Sequence, residues 1–206
     1  KYHLNLLNPL NPLNLLNPLN PLNLLNLLNP LNPLNPLNPL NLLNPLNLLM
    51  LHVIATPIGN LGDLSPRALE AFKSAAVIAC EDTRRTWQLL THFGIPRPAD
   101  MFSYRQGNEE RITERIVADV KAGKEVALCS DGGYPGISDP GYRVIRTCAQ
   151  EGIPYEVIPG ASAVNVALLM SGLSTSSFTF RGFPPRGPGA LRNWFAEDAD
   201  KEHTMI

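Results

Sequence analysis

From Asn5 to Asn47 an asparagine occupies every third position, and only leucine and proline lie between them. Nine of the chain's 20 prolines fall in this stretch. Each proline ring removes an amide donor and clashes with the preceding turn, so no helix survives that spacing. Glycine is absent from the tract, which excludes collagen, and the most ordered state expected of it is an extended, polyproline-like coil. A membrane span needs about 20 consecutive apolar residues and a signal peptide an apolar core of about 7 to 15. The recurrent asparagines rule out both within the tract. Residues 1–49 therefore read as a low-complexity Leu/Asn/Pro repeat: either a disordered extension or, as we expect, a repeat read through upstream of a translation start at Met50. Folding is left to residues 50–206.

Lys1 is the sole Lys, Arg, Asp or Glu before Met50, so residues 50–206 carry 16 basic and 18 acidic side chains. A net charge of −2 supplies no overall positive field, and any contact with nucleic acid must be local. Cys80, Cys129 and Cys148 form no C-x-x-C pair and are expected as reduced core residues. His52, His92 and His203 are too far apart in the chain to suggest a metal centre, and none is expected.

Apolar runs and helical periodicities alternate along the remaining chain. Strands are expected at His52–Ala55, Ala76–Cys80, Glu125–Cys129, Tyr155–Ile158 and Ser177–Phe183. Between them come a helix capped by Ser65 with Pro66 at its first position, one through Trp87 and Leu90 to Gly94, and one from Asn108 to Gly123. The last has Ile112, Ile116, Val117 and Val120 on one face. Two further helices are expected over Tyr142–Ala149 and Ser162–Met170, stopped near Gly152 and at Gly172. This order predicts an α/β fold, a mainly parallel sheet with flanking helices.

In such sheets ligands bind beyond the carboxyl ends of the strands. The loops there are Thr56–Asp63, Glu81–Arg84, Ser130–Gly141 and Pro159–Ala163. Gly59 and Gly62 allow backbone to approach a ligand, but neither G-x-G-x-x-G nor a phosphate-binding G-x-x-x-x-G-K-[ST] occurs. The third loop places Asp131 and Asp139 among four glycines, more than a plain turn requires. Backbone groups and a few carboxylates without an obvious covalent catalyst suit a reaction whose reagent arrives already activated.

These loops, taken with their flanks, carry a resemblance. Residues 50–69 (MLHVIATPIGNLGDLSPRAL), Ala79–Arg84 (ACEDTR), Ser130–Gly141 (SDGGYPGISDPG), Ile158–Ala163 (IPGASA) and Ser171–Leu173 (SGL) closely resemble, in order, the ribosomal RNA small subunit methyltransferase I family. That family belongs to the tetrapyrrole methylase superfamily. The resemblance implies a tetrapyrrole methylase-like amino-terminal α/β domain over 50–172 and the start of a second α/β domain over 173–206. It implies S-adenosylmethionine as cofactor and 2′-O-methylation of a cytidine ribose in 16S rRNA on the small ribosomal subunit, by a cytoplasmic homodimer without metal or membrane. The matching motifs assign Pro57, Gly59, Asp131, Gly132, Gly133, Ile137, Ser138, Ser162 and Ala163 to the cofactor. Glu81, Asp82, Thr83 and Arg84 are expected on the substrate side. Asp131 is the expected catalytic group, with Glu81 and Asp82 as further proton acceptors. Arg84 and Arg85 are candidate phosphate ligands, and Arg181, Arg186 and Arg192 are either that or solvated surface.

Two departures from the family pattern bear on these expectations. Gly132 and Tyr134 stand where alanine and threonine are usual, and Tyr134 either crowds the cofactor or turns away. Ala161 replaces a frequent proline. The chain also stops at Ile206, within the expected second domain, so an incomplete cofactor cleft and weak or absent methyl transfer are expected. The competing readings are a methylase acting on a porphyrinoid and a non-catalytic cofactor- or ribosome-binding remnant.

Overall fold

The computed structural model describes residues 50–197 and 203–206; the expectations for residues 1–49 lie outside the described residues. Five strands form one parallel sheet: β1 (Leu51–Ile54), β2 (Val77–Cys80), β3 (Asp100–Ser103), β4 (Val126–Cys129) and β5 (Tyr155–Ile158). Their spatial order is β3-β2-β4-β1-β5. The central strands β2, β4 and β1 are buried along their whole length, as parallel strands covered on both faces must be.

Alternation along each strand sends side chains to two cores. Leu51, Val53, Val77, Ala79, Val126 and Leu128 meet Ile112 and Ile116 of α3 (Glu109–Lys121) and Val144 and Cys148 of α4 (Tyr142–Glu151). On the other face, Ile54, Ile78, Ala127 and Cys129 meet Phe72 of α1 (Pro66–Ser74) and Leu90 of α2 (Thr83–His92). All three cysteines lie in these cores, and burial pushes the Cys80 and Cys148 thiols up to about 11, so they pack as small apolar groups.

This arrangement determines where a ligand can enter. The chain leaves β1 for α1 on one face, while the neighbouring β4 leads to α4 on the other. The two outgoing loops must part above the sheet, which opens a crevice at the carboxyl ends of adjacent strands. Local signals set the helix starts: as expected, the Ser65 hydroxyl accepts the Ala68 amide (3.2 Å) with Pro66 in the first turn, and Asp82, not foreseen as a cap, accepts the Arg84 amide (2.8 Å).

Three elements differ from expectation. β3 was not foreseen, because as a half-exposed edge strand it lacks a continuous apolar run; Arg115 of α3 covers it, pairing with Asp100 and lying 3.7 Å over the Phe102 ring. The strand expected over Ser177–Phe183 shrinks to β6 (Phe178–Thr179), which pairs with β7 (Thr204–Met205) in a separate two-stranded sheet. Before β7 comes an unforeseen helix, α6 (Pro188–Ala196), and Arg181 stacks on its Trp194 at 4.5 Å and bonds Glu197. Arg181 is thus engaged within the protein. No helix among the described residues is long and apolar enough to cross a membrane.

Between β4 and β5, His52 of β1 is buried between Glu125 and Glu156, and Arg67 pairs with Glu156. Burial works against a charged imidazole, but the two carboxylates outweigh it and raise the His52 pKa above its ordinary value. The His52 hydrogen bond in turn holds Glu156 below the usual range. A raised histidine pKa stabilises the fold fully below about pH 6.5, and that contribution disappears as pH rises through the raised value. Glu156 contributes above its ordinary range and loses its share only as pH falls through the lowered value. We expect urea unfolding to show stability declining as pH rises above about 6.5 through the raised His52 pKa and the decline to be largely absent in His52→Gln; equal slopes in both proteins would refute the ion-pair account.

Candidate functional site

Two amide hydrogen bonds join the parting loops. The Thr56 amide donates to the Gly133 carbonyl and the Gly133 amide to the Thr56 carbonyl, both at 2.9 Å, an isolated antiparallel bridge across an otherwise parallel sheet. The buried Thr56 hydroxyl donates to the Ser130 carbonyl (3.0 Å). Gly133 makes this possible with a φ of +79°, a region glycine enters without steric cost. The loop after β5 is drawn in by Tyr134, whose phenol oxygen accepts the Gly160 amide (3.0 Å), and by Gly160 itself, where a Cβ would stand 3.0 Å from that of Ala55.

The loop after β2 is tied on through carboxylates. The Asp82 amide donates to Asp131 Oδ1 (3.1 Å), the Asp131 amide to Glu81 Oε2 (3.2 Å), and Arg85 lies 3.4 Å from Asp131 Oδ2. Two arginines, Arg84 and Arg85, thus occupy the first turn of α2, where the helix dipole disfavours cations. Asp82 offsets one and Asp131 the other. The Arg84 guanidinium and amide together hold Asp82 well below the usual carboxylate range.

Two cavities flank the Thr56–Gly133 bridge. The larger, about 350 Å³, is mostly apolar: Gly132, Gly133, Ile137 and Ser138 of one loop face Ser162 and Ala163 at the start of α5 (Ala163–Ser171). Phe180 and Phe183 stand beyond them, and Tyr134, Asp139, Val164, Ala167, Gly182 and Ile206 complete the lining. Ser138 has a φ of +63°, rare for a residue with a side chain and typical of functional walls. Burial, then the carboxylates of Glu81 and Asp131, raise the Asp139 pKa above its ordinary value. The smaller cavity, about 240 Å³, is lined by Thr56, Pro57, Asp131, Arg85, Gln88 and Leu89, among others.

The expected cofactor residues therefore divide. Six of them, Gly132, Gly133, Ile137, Ser138, Ser162 and Ala163, share the larger cavity; Pro57 and Asp131 line the smaller. Gly59 lies at an exposed turn and lines neither. On the expected substrate side, Glu81 and Asp82 hold the β2 loop against the β4 loop, Thr83 begins α2, and Arg84 is exposed and paired with Asp82. Sequence reasoning passed over Asp139 as a proton acceptor and Gln88 altogether. Asp139 was legible as the second carboxylate of a glycine-rich loop; Gln88 gave no signal, being one polar residue on a helix face. Among the described residues no three His, Cys, Asp or Glu side chains form a group able to hold a metal ion.

Comparison with known proteins agrees with this fold. The family of tetrapyrrole (corrin/porphyrin) methylases matches residues 50–206. A protein of Xylella fastidiosa (strain Temecula1) named ribosomal RNA small subunit methyltransferase I is 46% identical over 156 residues, covering 76% of this chain and 56% of its own. One of the same name from Thermotoga maritima is 42% identical over 156 residues, covering 76% of this chain and 68% of its own. The chain thus spans little more than half the length of the Xylella relative. A crystal structure of uroporphyrin-III-C-methyltransferase from Thermus thermophilus superposes with a TM-score of 0.52 at 21% identity, over 72% of this chain and 74% of that one, a likeness of fold.

The Tyr134 contact is open to direct test. Tyr134→Phe removes the acceptor of the Gly160 amide, and we expect a loss of about 1 kcal/mol in urea unfolding together with faster hydrogen exchange at Gly160. Unchanged exchange would show that the phenol does not hold the β5 loop.

Proposed function

The chain belongs to the tetrapyrrole (corrin/porphyrin) methylase family, within its ribosomal RNA small subunit methyltransferase I branch, and from that premise we propose that it serves 2′-O-methylation of a cytidine ribose in 16S rRNA with S-adenosylmethionine as cofactor. Members of methyltransferase families of this kind generally use that cofactor. The observation that carries the reading is the larger cavity at the crevice. Its glycine floor presents backbone without Cβ atoms, its apolar wall suits a purine and its few hydroxyls suit a ribose, so the residues present fit the group.

In this proposal Gly132 and Gly133 supply backbone contacts, Ser138 and Ser162 supply hydroxyls, and Ile137 with Ala163 encloses the apolar part. When bound, the cofactor supplies a methyl group on a sulfonium, with the leaving group built in. The protein's own tasks are alignment, exclusion of water and acceptance of the ribose hydroxyl proton. Asp131 and Asp139 are the carboxylates in reach. Both oxygens of Asp131 already face partners, the Asp82 amide and Arg85, whereas Asp139 lines the cavity with a raised affinity for a proton. We therefore place proton acceptance on Asp139 and positioning of the β2 loop on Asp131.

The proposal extends to the division of the chain into a cofactor-binding domain over 50–172 and the start of a second over 173–206, to a cytoplasmic setting with the small ribosomal subunit as partner, and to a homodimer. Val166, Leu169 and Met170 of α5, with Val157 and Leu173, form an exposed apolar surface that favours self-association. Sedimentation is expected to show a dimer that Leu169→Glu dissociates; a monomeric parent protein would remove that part.

The deciding experiment supplies labelled S-adenosylmethionine with hypomethylated small ribosomal subunits and, in parallel, uroporphyrinogen III. Label in 2′-O-methylcytidine is expected; label in the porphyrinoid would overturn the substrate. Asp139→Asn is expected to lower the rate by about 10² or more. A base must be deprotonated, so the parent rate falls as pH drops through the raised Asp139 pKa, and the variant lacks that acid limb. An unaltered acid limb in the variant would return the role to Asp131.

A further inference from the structure

The smaller cavity is left unassigned by the cofactor reading. It lies on the α2 side of the Thr56–Gly133 bridge, against the same β4 loop, with Asp131 and Gly132 as consecutive residues facing the two spaces. Its floor is a set of buried hydroxyls, Thr56, Thr86 and Ser130. One wall is apolar, from Pro57, Leu61 and Leu89. The rim carries two polar side chains with unused capacity. The Gln88 side chain makes no hydrogen bond among the described residues, leaving an amide donor and acceptor at the mouth. Arg85 has five N–H donors and a 69% exposed side chain, and its one ion pair, to Asp131, is long at 3.4 Å.

These groups match the parts of a nucleotide. A flat ring packs on the proline and leucine side chains, a side-chain amide reads a base edge by paired donor and acceptor, and a guanidinium takes phosphate. At about 240 Å³ the space is below the range usual for drug-sized ligands and suits one small ring system with its sugar. A tetrapyrrole macrocycle is far larger than this space and carries several carboxylates, whereas the lining offers one arginine, Arg85, already facing Asp131. We propose that this cavity is the acceptor-nucleotide site, with Gln88 reading the base and Arg85 holding the adjoining phosphate. The inference rests on the methylase reading and deepens it by naming the acceptor side and its specificity residue; the ribose then lies at the mouth of this cavity, toward Asp139, whose carboxylate is near enough to feel the charge of Asp131 in the lining.

The test is a ¹H–¹⁵N NMR titration of the full chain with cytidine 5′-monophosphate, inorganic phosphate and, separately, S-adenosylhomocysteine. The nucleotide is expected to shift the Gln88 side-chain amide and the amides of Thr56 and Asp131 saturably. Arg85→Ala should weaken that binding about tenfold and Gln88→Ala several-fold, the charged contact being the stronger. Inorganic phosphate should move the Arg85 Nε–H and leave Gln88 in place. Equal shifts from phosphate alone would reduce the cavity to an anion site and overturn the proposal. So would nucleotide shifts that miss Gln88 or survive Arg85→Ala. If S-adenosylhomocysteine shifts Gly132, Gly133 and Ala163 while the nucleotide shifts nothing, the acceptor assignment falls and the methylase reading stands; silence toward both ligands overturns the two together.

Discussion

The carboxyl edge of the sheet depends on one pair of amide hydrogen bonds. β1 and β4 are parallel neighbours whose chains depart to opposite faces, so their loops would diverge and leave backbone groups open. The reciprocal bonds between Thr56 and Gly133 close them with a short antiparallel bridge. That bridge lies between the two cavities and determines their shapes together. It requires a left-handed glycine at 133 and a buried hydroxyl at 56, and the Tyr134 phenol then extends the stitching to the β5 loop. Tyr134 therefore does two things at once: it lines the larger cavity and fixes the loop that carries Ser162 and Ala163.

The second constraint is electrostatic. Glu81, Asp82, Asp131 and Asp139 gather at one strand edge, where like charges raise one another's proton affinity unless something compensates. Compensation is unequal. Asp82 has Arg84 and lies low, while Asp139 is partly buried, feels the carboxylates of Glu81 and Asp131, and lies high. A single loop cluster thus contains one carboxylate held charged and another prepared to take a proton, a division of roles that acid–base sites require.

Much of this was legible in the sequence. The four fully or largely apolar strands, the Ser65–Pro66 helix start and the glycine stops at Gly152 and Gly172 follow from local rules, and the structure keeps them. β3 was not legible because Asp100–Ser103 owes its strand to pairing with β2 and to the cover of Arg115, neither of which leaves a local pattern. α6 left no clear local pattern either, since Gly187 and Gly189 on either side of Pro188 weaken a helix signal, while β6 was expected but over the longer stretch Ser177–Phe183. At the site, motif residues in one loop were found readily. Splitting them between two cavities depends on the bridge, which joins residues far apart in sequence and is invisible to any window along the chain.

The strand order has a consequence for assembly. β1 is made first, yet it pairs only with β4 and β5: Leu51 must wait for Val126 and Tyr155. β2 meanwhile finds β3 at once, across one short helix. During synthesis the amino-terminal strand therefore remains an unpaired apolar segment until the centre of the sheet is threaded between it and β2, and a topology built on such distant pairings folds slowly and stays exposed to aggregation for longer. The burial that encloses β1 along its whole length in the finished sheet also makes it a vulnerable part of the nascent chain.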